Sequence, residues 1–245
     1  MLNKLSIIIP VYNESVYIIR CLENVSQVKI ANWVKEIIVI NDGSTDDTLD
    51  LLEEFNREHT KIKIITSQIN QGKGAALKKG ISEAVGEVVI IQDADLEYDP
   101  SDYTAILSEF ENKETNVVYG SRILGAKIYH NYSAGLFFLL GGIMLTKIIN
   151  MMFGVKLTDQ PTCYKSWRNK FSKNLLKYCQ SHGFEFEVEI TAFFSRITKI
   201  KEVPIHYYPR TVSHGKKIRV IDFIKSVLMV FRCKFIKRNI FSDRF

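Results

Sequence analysis

The sequence predicts an α/β fold in which helices cover both faces of a mostly parallel sheet. Short runs rich in Ile and Val alternate with helical stretches through the first half of the chain, which is the pattern of βαβ units. The 245 residues are 46% hydrophobic and 24% charged, enough for one large α/β domain or two small ones. With 5 Pro and 13 Gly, the chain shows no long flexible linker.

Five strands are predicted in the first half of the chain, and helices lie between them. The predicted strands are 5–9, 34–40, 61–66, 87–91 and 116–119, and the predicted helices are 14–27, 45–58, 74–85 and 102–111. Asp99 followed by Pro100 is an N-cap with proline in the first helical position, which favours the start of the fourth helix. Ligands of such sheets bind beyond the carboxyl ends of the strands, so we expect the chemistry just after the first four.

The second half is expected to be mainly helical and partly apolar. Residues 131–146 carry no formal charge, and an apolar run continues from 148 to 155. The uncharged run is shorter than the roughly 20 residues that span a bilayer, so we expect a helix that lies in a membrane interface or packs on the core. Further helices are predicted at 184–197 and 220–235, with a strand at 199–208 between them.

The net charge of +6 is concentrated near the C-terminus. The basic residues there are Lys216, Lys217, Arg219, Lys225, Arg232, Lys234, Lys237, Arg238 and Arg244, opposed by Asp222 and Asp243. Such a tail suits an anionic lipid or nucleic-acid surface, although a solvated basic helix has the same composition. We predict a catalytic domain over 1–215, with 131–155 as a candidate membrane-interface helix, and a basic amphipathic tail over 216–245.

Cysteine usage and the N-terminal residues favour a cytoplasmic location. The four cysteines are scattered, without a C-x-x-C pair, which is typical of free thiols in a reducing compartment. The first apolar run has only five residues, shorter than the core of a signal peptide. With the basic tail, these features predict a protein that is peripheral on the cytoplasmic face of a membrane.

Polar segments follow each of the first four predicted strands, at 10–14, 41–46, 70–74 and 93–97. Any one of them could be a turn or a helix cap, but four at one sheet edge indicate a binding site. Asp93 and Asp95 are the most informative, because carboxylates this close repel each other unless a cation lies between them. Hard oxygen ligands favour Mg²⁺ or Mn²⁺. A surface turn of acidic residues is the alternative interpretation.

A series of short motifs follows along the chain: Pro10-x-Tyr12-Asn13-Glu14, Asp42 to Asp46, Asn70 to Gly74, Asp93-x-Asp95, Gly120-Ser121-Arg122, Thr158-Asp159, Thr162 to Lys165, Tyr208-Pro209-Arg210 and Gly215-Lys216-Lys217. In this order, the motifs resemble those of family 2 of the nucleotide-sugar glycosyltransferases, which have a Rossmann-like GT-A fold. The resemblance is greatest to the branch containing dolichyl-phosphate mannosyltransferase and other polyprenyl-phosphate glycosyltransferases, and it covers residues 5–223. The chain departs from the branch at Glu97, where glutamine is common.

The resemblance implies an inverting, metal-dependent transfer of a hexose or related sugar from a GDP- or UDP-sugar to a polyprenyl (dolichyl or undecaprenyl) phosphate. Donor-binding residues would be Pro10, Tyr12, Asn13, Glu14, Asp42, Gly72, Lys73, Asp93 and Ala94. Ligands of the Mg²⁺ or Mn²⁺ would be Asp93, Asp95 and Glu97. Catalytic residues would be Asp95, Arg122, Asp159, Arg210 and Lys216.

The nature of the acceptor decides whether a base is needed. A sugar hydroxyl requires a general base, whereas a lipid phosphate is already anionic and needs cations that hold it. Arg122, Arg210, Lys216 and Lys217 could form such a clamp. Asp159 could act as a base, orient the acceptor or be an ion-pair partner. The acidic residues 187 and 189 start a predicted helix and could be structural through its dipole.

Four other functions are alternatives to lipid-phosphate transfer. A family 2 enzyme acting on a hydroxyl of a glycan or cell-surface polysaccharide would use Asp159 or Glu187 as base. A non-catalytic nucleotide-sugar-binding protein is disfavoured by the intact metal motif. No nucleic-acid partner is expected, because only the net charge suggests one, and a dinucleotide-dependent oxidoreductase is excluded by the lack of G-x-G-x-x-G after the first strand. A membrane-embedded partner would be a separate protein, since no spanning helix is predicted.

Overall fold

The computed structural model describes residues 3–59, 61–129, 135–210 and 220–236. The strands in these ranges are β1 (Asn3–Val11), β2 (Trp33–Asn41), β3 (Lys63–Thr66), β4 (Val88–Ile91), β5 (Val117–Ser121), β6 (Lys165–Arg168) and β7 (Ile200–Pro204). The helices are α1 (Ile18–Gln27), α2 (Thr48–Glu58), α3 (Lys73–Glu83), α4 (Tyr103–Ser108), α5 (Arg122–Tyr129), α6 (Leu136–Phe153), α7 (Ser172–Tyr178), α8 (Phe186–Ile197) and α9 (Val220–Phe235). Short 3₁₀ turns occur at Pro100–Asp102, Glu109–Glu111 and Asn169–Phe171.

The seven strands form one sheet in the order β3-β2-β1-β4-β6-β5-β7. All neighbouring strands are parallel except β6, which runs antiparallel to both β4 and β5. β1 lies between β2 and β4, and Leu5, Ile7, Ile8 and Ile9 are fully buried. Strands covered on both faces are continuously apolar, not alternating, which explains the Ile-rich runs. The predicted mostly parallel α/β sheet is therefore confirmed.

The five strands predicted in the first half are present, as are the four helices, with small shifts of their ends. Helix α1 begins at Ile18 rather than at residue 14, because the amides of Tyr17 and Ile18 both donate to the Glu14 carbonyl in a preceding turn. The Asp99 cap is confirmed, since its carboxylate accepts from the Ser101 amide ahead of the 3₁₀ turn. Three elements were not predicted: β6, α5 and α7.

Helices α6, α8 and α9 pack together beside the sheet. Leu145 and Ile149 of α6 form a small apolar cluster with Val188 and Val230. The described part of 131–155 therefore packs one side on the protein, while the opposite side leaves Met144 and other residues exposed. In the described ranges, no helix has the length and apolar character needed to cross a membrane. The division at 215 and 216 stays a prediction.

Helix α9 has apolar residues on two sides. Val230 and Cys233 are buried against the protein. A second set recurs every three or four positions, which places it along one side of a helix. We call this set the α9 stripe; its members Ile221, Ile224, Leu228, Phe231 and Phe235 are all exposed. The protein therefore presents an uncovered apolar surface.

The four cysteines are unpaired, as predicted, and all four are buried.

Candidate active site

Asp93 and Asp95 lie just beyond the end of β4, and each contacts a different cation. The Lys73 ammonium lies 2.9 Å from Asp93 Oδ1. The Arg210 guanidinium lies 3.0 Å from Asp95 Oδ2, while Asp95 Oδ1 accepts from the Glu97 amide at 3.1 Å. The sequence prediction that the ends of these strands share one site agrees with this placement.

The two aspartates differ in their electrostatic surroundings. Burial opposes ionisation of Asp93, but Lys73 outweighs it and holds the pKa of that carboxyl below its ordinary value. Burial raises the pKa of Asp95 to about 7, and the charges of Asp93 and Glu97 add to the rise. Negative charge is therefore crowded at Asp95, despite the neighbouring Arg210.

Lys73 is the first residue of α3 and points into the space between two acidic groups. Its ammonium lies 3.2 Å from Glu187 Oε1, in addition to its contact with Asp93. Gly72 precedes it with a φ of 97°, and a Cβ there would lie 2.6 Å from the His182 carbonyl oxygen. A residue with a side chain would strain this turn, so glycine at this position fixes where Lys73 begins.

Asp42 ties the end of β2 to the turn before α3. Its Oδ2 accepts from the amide of Gln71 at 3.1 Å and from that of Gly72 at 2.7 Å. Its Oδ1 is buried and has no hydrogen-bond partner among the described residues. Since a buried carboxylate oxygen normally accepts a hydrogen bond, this oxygen could accept one from a bound molecule.

The segment after β1 packs against the segment after β2. The Asn13 backbone has a φ of 50°, its Oδ1 accepts from the Thr45 amide at 2.8 Å, and its own amide donates to Ser44 Oγ at 3.0 Å. Pro10 lies opposite Ile40 in the β1–β2 pairing, one position before its last pair. Tyr12 is half-buried in the same loop. The donor-binding residues predicted from the sequence thus come from adjoining loops, with Ala94 buried between the two aspartates.

Arg210 connects the late part of the chain to this edge. Its guanidinium lies 3.3 Å from Glu14 Oε2 as well as beside Asp95, and it lies over the Tyr17 ring at 5.1 Å. Its backbone amide donates to Glu97 Oε1 at 2.8 Å. Burial lowers its pKa, but Asp95 and Glu14 raise it further, so the net shift is upward. Arg210 is a permanent cation at this site.

Glu97 uses both carboxylate oxygens within the protein. Oε1 accepts from the Arg210 amide, and Oε2 accepts from the Tyr207 hydroxyl at 2.8 Å. Each oxygen keeps a second lone pair, so these bonds do not decide whether Glu97 can bind a metal, and its place among the ligands stays a prediction. The observed contacts instead hold the segment that carries Arg210.

Asp159 is engaged by Arg122 in a two-pronged ion pair. Arg122 Nε donates to Asp159 Oδ2 and Nη2 to Oδ1, both at 2.8 Å, and the Arg122 amide also donates to Oδ2 at 2.9 Å. Arg122 lies 5.1 Å from the centre of the Tyr207 ring. These contacts are those of an ion-pair partner. A role as base would require the bidentate contact between Arg122 and Asp159 to break.

The chemistry of the donor set fits a divalent cation bound partly by substrate. In the described parts of the chain, no three His, Cys, Asp or Glu side chains are arranged to hold a metal. Mg²⁺ is usually bound through one or two carboxylates together with substrate phosphates, not by a full protein cage. Asp93 and Asp95 suit that mode, because the crowding that raises the pKa of Asp95 is what a cation relieves.

Two of the predicted cations, Lys216 and Lys217, lie outside the described residues. Lys165 ends the matched element Thr162 to Lys165, but sequence reasoning assigned it no role. It is fully buried in β6 and 2.7 Å from Glu187 Oε2. The available signal was the position of this lysine between Tyr164 and Trp167. Aromatic residues favour strands, so the run suits a buried strand better than a surface loop.

Comparison with known proteins identifies similar chains. Residues 6–176 match the family described as Glycosyl transferase family 2. A dodecaprenyl-phosphate galacturonate synthase of Rhizobium johnstonii is 28% identical over 94% of this chain and 68% of its own length. A dolichyl-phosphate beta-glucosyltransferase of Trichomonas vaginalis is 27% identical over 98% of this chain and 76% of its own.

Solved structures show the same fold. Glucosyl-3-phosphoglycerate synthase from Mycobacterium tuberculosis, in complex with Mn²⁺, UDP-glucose and glycerol 3-phosphate, superposes with a TM-score of 0.69 at 15% identity. The superposition covers 95% of this chain and 80% of that one. The same enzyme has been crystallised with Mg²⁺ and UDP. At this identity the likeness concerns the fold, and it confirms the predicted GT-A architecture.

Proposed function

The chain belongs to glycosyl transferase family 2, and from that premise we propose that it transfers a sugar, with inversion, from a nucleotide diphosphate sugar to a polyprenyl phosphate. The family makes it a nucleotide-sugar-dependent glycosyltransferase. The observation that carries the proposal is the arrangement of Asp93 and Asp95 with Lys73 and Arg210 beyond the ends of the central strands. Two carboxylates and two cations at one edge suit a donor whose diphosphate carries a metal.

The nucleoside would bind to the loops after β1 and β2. Asp42 offers a buried oxygen without a partner, which can accept from a ribose hydroxyl or a base N–H group. Tyr12 can contribute its ring or hydroxyl, and Glu14 is held nearby by Arg210. These groups would accept a uridine or a guanosine nucleotide, so the donor is proposed as a UDP- or GDP-sugar.

The diphosphate would lie between Lys73 and the two aspartates. Asp93 and Asp95 would hold Mg²⁺ or Mn²⁺, which, when bound, neutralises charge on the departing nucleotide. Lys73 is partly exposed, with 17% of its side chain accessible, so its ammonium can turn from Asp93 towards a phosphate oxygen.

A phosphate acceptor agrees with how the nearby carboxylates are used. Asp159 is engaged by Arg122, and Glu187 lies between two lysines. Neither is placed as a free general base, which a hydroxyl acceptor would require. The two relatives whose names specify an acceptor lipid use dodecaprenyl and dolichyl phosphate. We propose that Arg210, together with Lys216, holds the acceptor phosphate.

The α9 stripe supports contact with a membrane. Lys225 and Arg232 are exposed on the same helix as the stripe. An exposed apolar side with basic residues is the composition of helices that lie in the interface of anionic membranes. We propose that α9 docks the protein on the cytoplasmic face, where a polyprenyl phosphate would present its headgroup to the site.

The proposal is tested by product analysis. The protein is incubated with Mn²⁺ and a panel of UDP- and GDP-sugars, with polyprenyl phosphate, the matching alcohol or a soluble oligosaccharide as acceptor. We expect mass spectrometry to detect a glycosylated polyprenyl phosphate from one of the donors. Equal use of the alcohol, or transfer to the oligosaccharide only, would contradict the lipid-phosphate acceptor and favour the enzyme that acts on a sugar hydroxyl.

A further inference from the structure

Behind the site, four charged side chains of alternating sign form a continuous row. Lys165 Nζ lies 2.7 Å from Glu187 Oε2, Glu187 Oε1 lies 3.2 Å from Lys73 Nζ, and Lys73 lies 2.9 Å from Asp93 Oδ1. Lys165 is fully buried, so it cannot touch a substrate in the site. The row therefore joins a residue inside the protein to a proposed metal ligand.

The inner end of the row is held firmly. Lys165 also donates to the Thr162 carbonyl oxygen and lies over the Tyr119 ring at 5.3 Å. Among the described residues, the two oxygens of Glu187 have no hydrogen-bond partner beyond the two lysines they pair with. A buried charge is costly without a partner, so Glu187 depends on both lysines and fixes where the second of them lies.

We infer that Lys165 and Glu187 are positioning residues that keep Lys73 shared between Glu187 and Asp93. This inference rests on the proposed function. The Lys73 ammonium contacts both Asp93 oxygens, at 2.9 and 3.2 Å, and Glu187 Oε1 at 3.2 Å. Because Glu187 takes up part of the Lys73 charge, Asp93 keeps more of its capacity to bind a divalent cation. Without the Glu187 carboxylate, Lys73 would pair with Asp93 alone and compete more strongly with the cation.

For the change in cation affinity, the shared lysine and a simple sum of charges predict the same direction in each single variant. They differ in the double variant. Glu187→Gln removes one negative charge and also releases Lys73 onto Asp93, and both effects weaken cation binding. Lys165→Met leaves Glu187 with Lys73 as its remaining partner, which draws Lys73 away from Asp93, so cation binding should hold or tighten. In the double variant the total charge is that of the wild type, yet no carboxylate holds Lys73.

The experiment measures Mn²⁺ binding to the full chain by electron paramagnetic resonance of the free ion, without nucleotide. Substitution of a residue that orients a metal ligand typically costs 10–100-fold in metal affinity. We expect Glu187→Gln and the double variant K165M/E187Q each to weaken binding on the order of tenfold, and Lys165→Met not to weaken it. Lys173→Met, at an exposed position of α7, is the matched control and should bind as the wild type does. Thermal melting of each variant reports the fold.

The double variant decides the matter, and its charge balance keeps it foldable if Lys165→Met alone is not. Mn²⁺ affinity that returns to the wild-type value would show that only net charge matters and would overturn the positioning role. Equal weakening in all three variants, with equal loss of melting temperature, would show a purely structural pair and would also overturn it. Where Mn²⁺ binds only with UDP or GDP present, the same variants are compared in that state. A wild-type chain that binds Mn²⁺ in neither state would refute the proposed metal site itself, together with this inference.

Discussion

The edge of the sheet at β1, β2 and β4 and the outer side of α9 depart from ordinary protein surfaces in opposite ways. At the sheet edge, charged groups such as Asp95 and Arg210 are largely buried and paired. On α9, apolar side chains such as Leu228 and Phe231 are exposed. Buried charge and exposed apolar surface are the two informative exceptions to the usual partition. Each indicates a partner of matching chemistry: an anionic donor with its cation, and a lipid surface.

The largest effect is expected at Asp95. Asp95→Ala removes a proposed metal ligand and the partner of Arg210, and should lower kcat by about 10³-fold or more, in the range seen when a key electrostatic stabiliser is lost. Steady-state sugar transfer at saturating donor measures it, with thermal melting as a check on the fold. A folded variant with wild-type turnover in the presence of chelator would remove the metal from the proposal.

Arg210 should show the next largest effect. Arg210→Ala removes a cation that contacts Glu14 and Asp95, and kcat/KM for polyprenyl phosphate should fall on the order of 10²-fold, since such a clamp positions as well as binds. Arg20→Ala, at an exposed position of α1, is the control. If Arg210→Ala changed only the donor KM, Arg210 would belong to the donor site and not to the acceptor clamp.

The second region can be tested without any chemistry. Each basic residue near an anionic surface contributes about 1 kcal/mol, so the pair of changes Lys225→Ala and Arg232→Ala should weaken binding to anionic vesicles roughly 30-fold. Binding should also weaken as salt rises. Vesicle sedimentation measures both, with Lys113→Ala, at an exposed site away from α9, as control. Equal binding to neutral and anionic vesicles would leave no electrostatic part.

The smallest effect on rate is expected at Asp159. Because Arg122 already engages its carboxylate, Asp159→Asn should lower kcat less than the roughly 10²–10⁴-fold typical of a general base. The loss of a charge partner for Arg122 should instead lower the melting temperature, since an ion loses its partner in a part-buried place. A loss in kcat of general-base size without destabilisation would restore Asp159 as a base and favour a hydroxyl acceptor.

Much of the sheet edge was predictable because local signals there agree. β1 and β2 contain the apolar runs 7–9 and 37–40, and each run leads directly into its polar segment. Parallel strands bring such segments to one side, so Asp42, Lys73 and Asp93 could be grouped from sequence alone. The order β3-β2-β1-β4 then places them together.

The rest depended on contacts that no local pattern encodes. β6 is four residues long and contains a lysine and an arginine, so nothing in its period marks it as a central strand. Lys165 pairs with Glu187, and Glu97 accepts a hydrogen bond from the Tyr207 hydroxyl. In both cases the partners are far apart along the chain. Which carboxylate stays open and which is engaged is decided by tertiary packing, and the sequence leaves that choice undetermined.

The double role of Asp42 limits how nucleotide preference can change. One oxygen accepts from the backbone of Gln71 and Gly72 and so fixes where Lys73 begins. The other is buried and has no hydrogen-bond partner among the described residues. Under the proposed function, recognition of the nucleoside and placement of the phosphate-binding ammonium share a single side chain. A substitution that suits a different base would also release the turn. A change of donor preference would therefore have to come from neighbours such as Tyr12. A sugar phosphate without a nucleoside would leave one oxygen of the Asp42 carboxylate without a partner from the substrate.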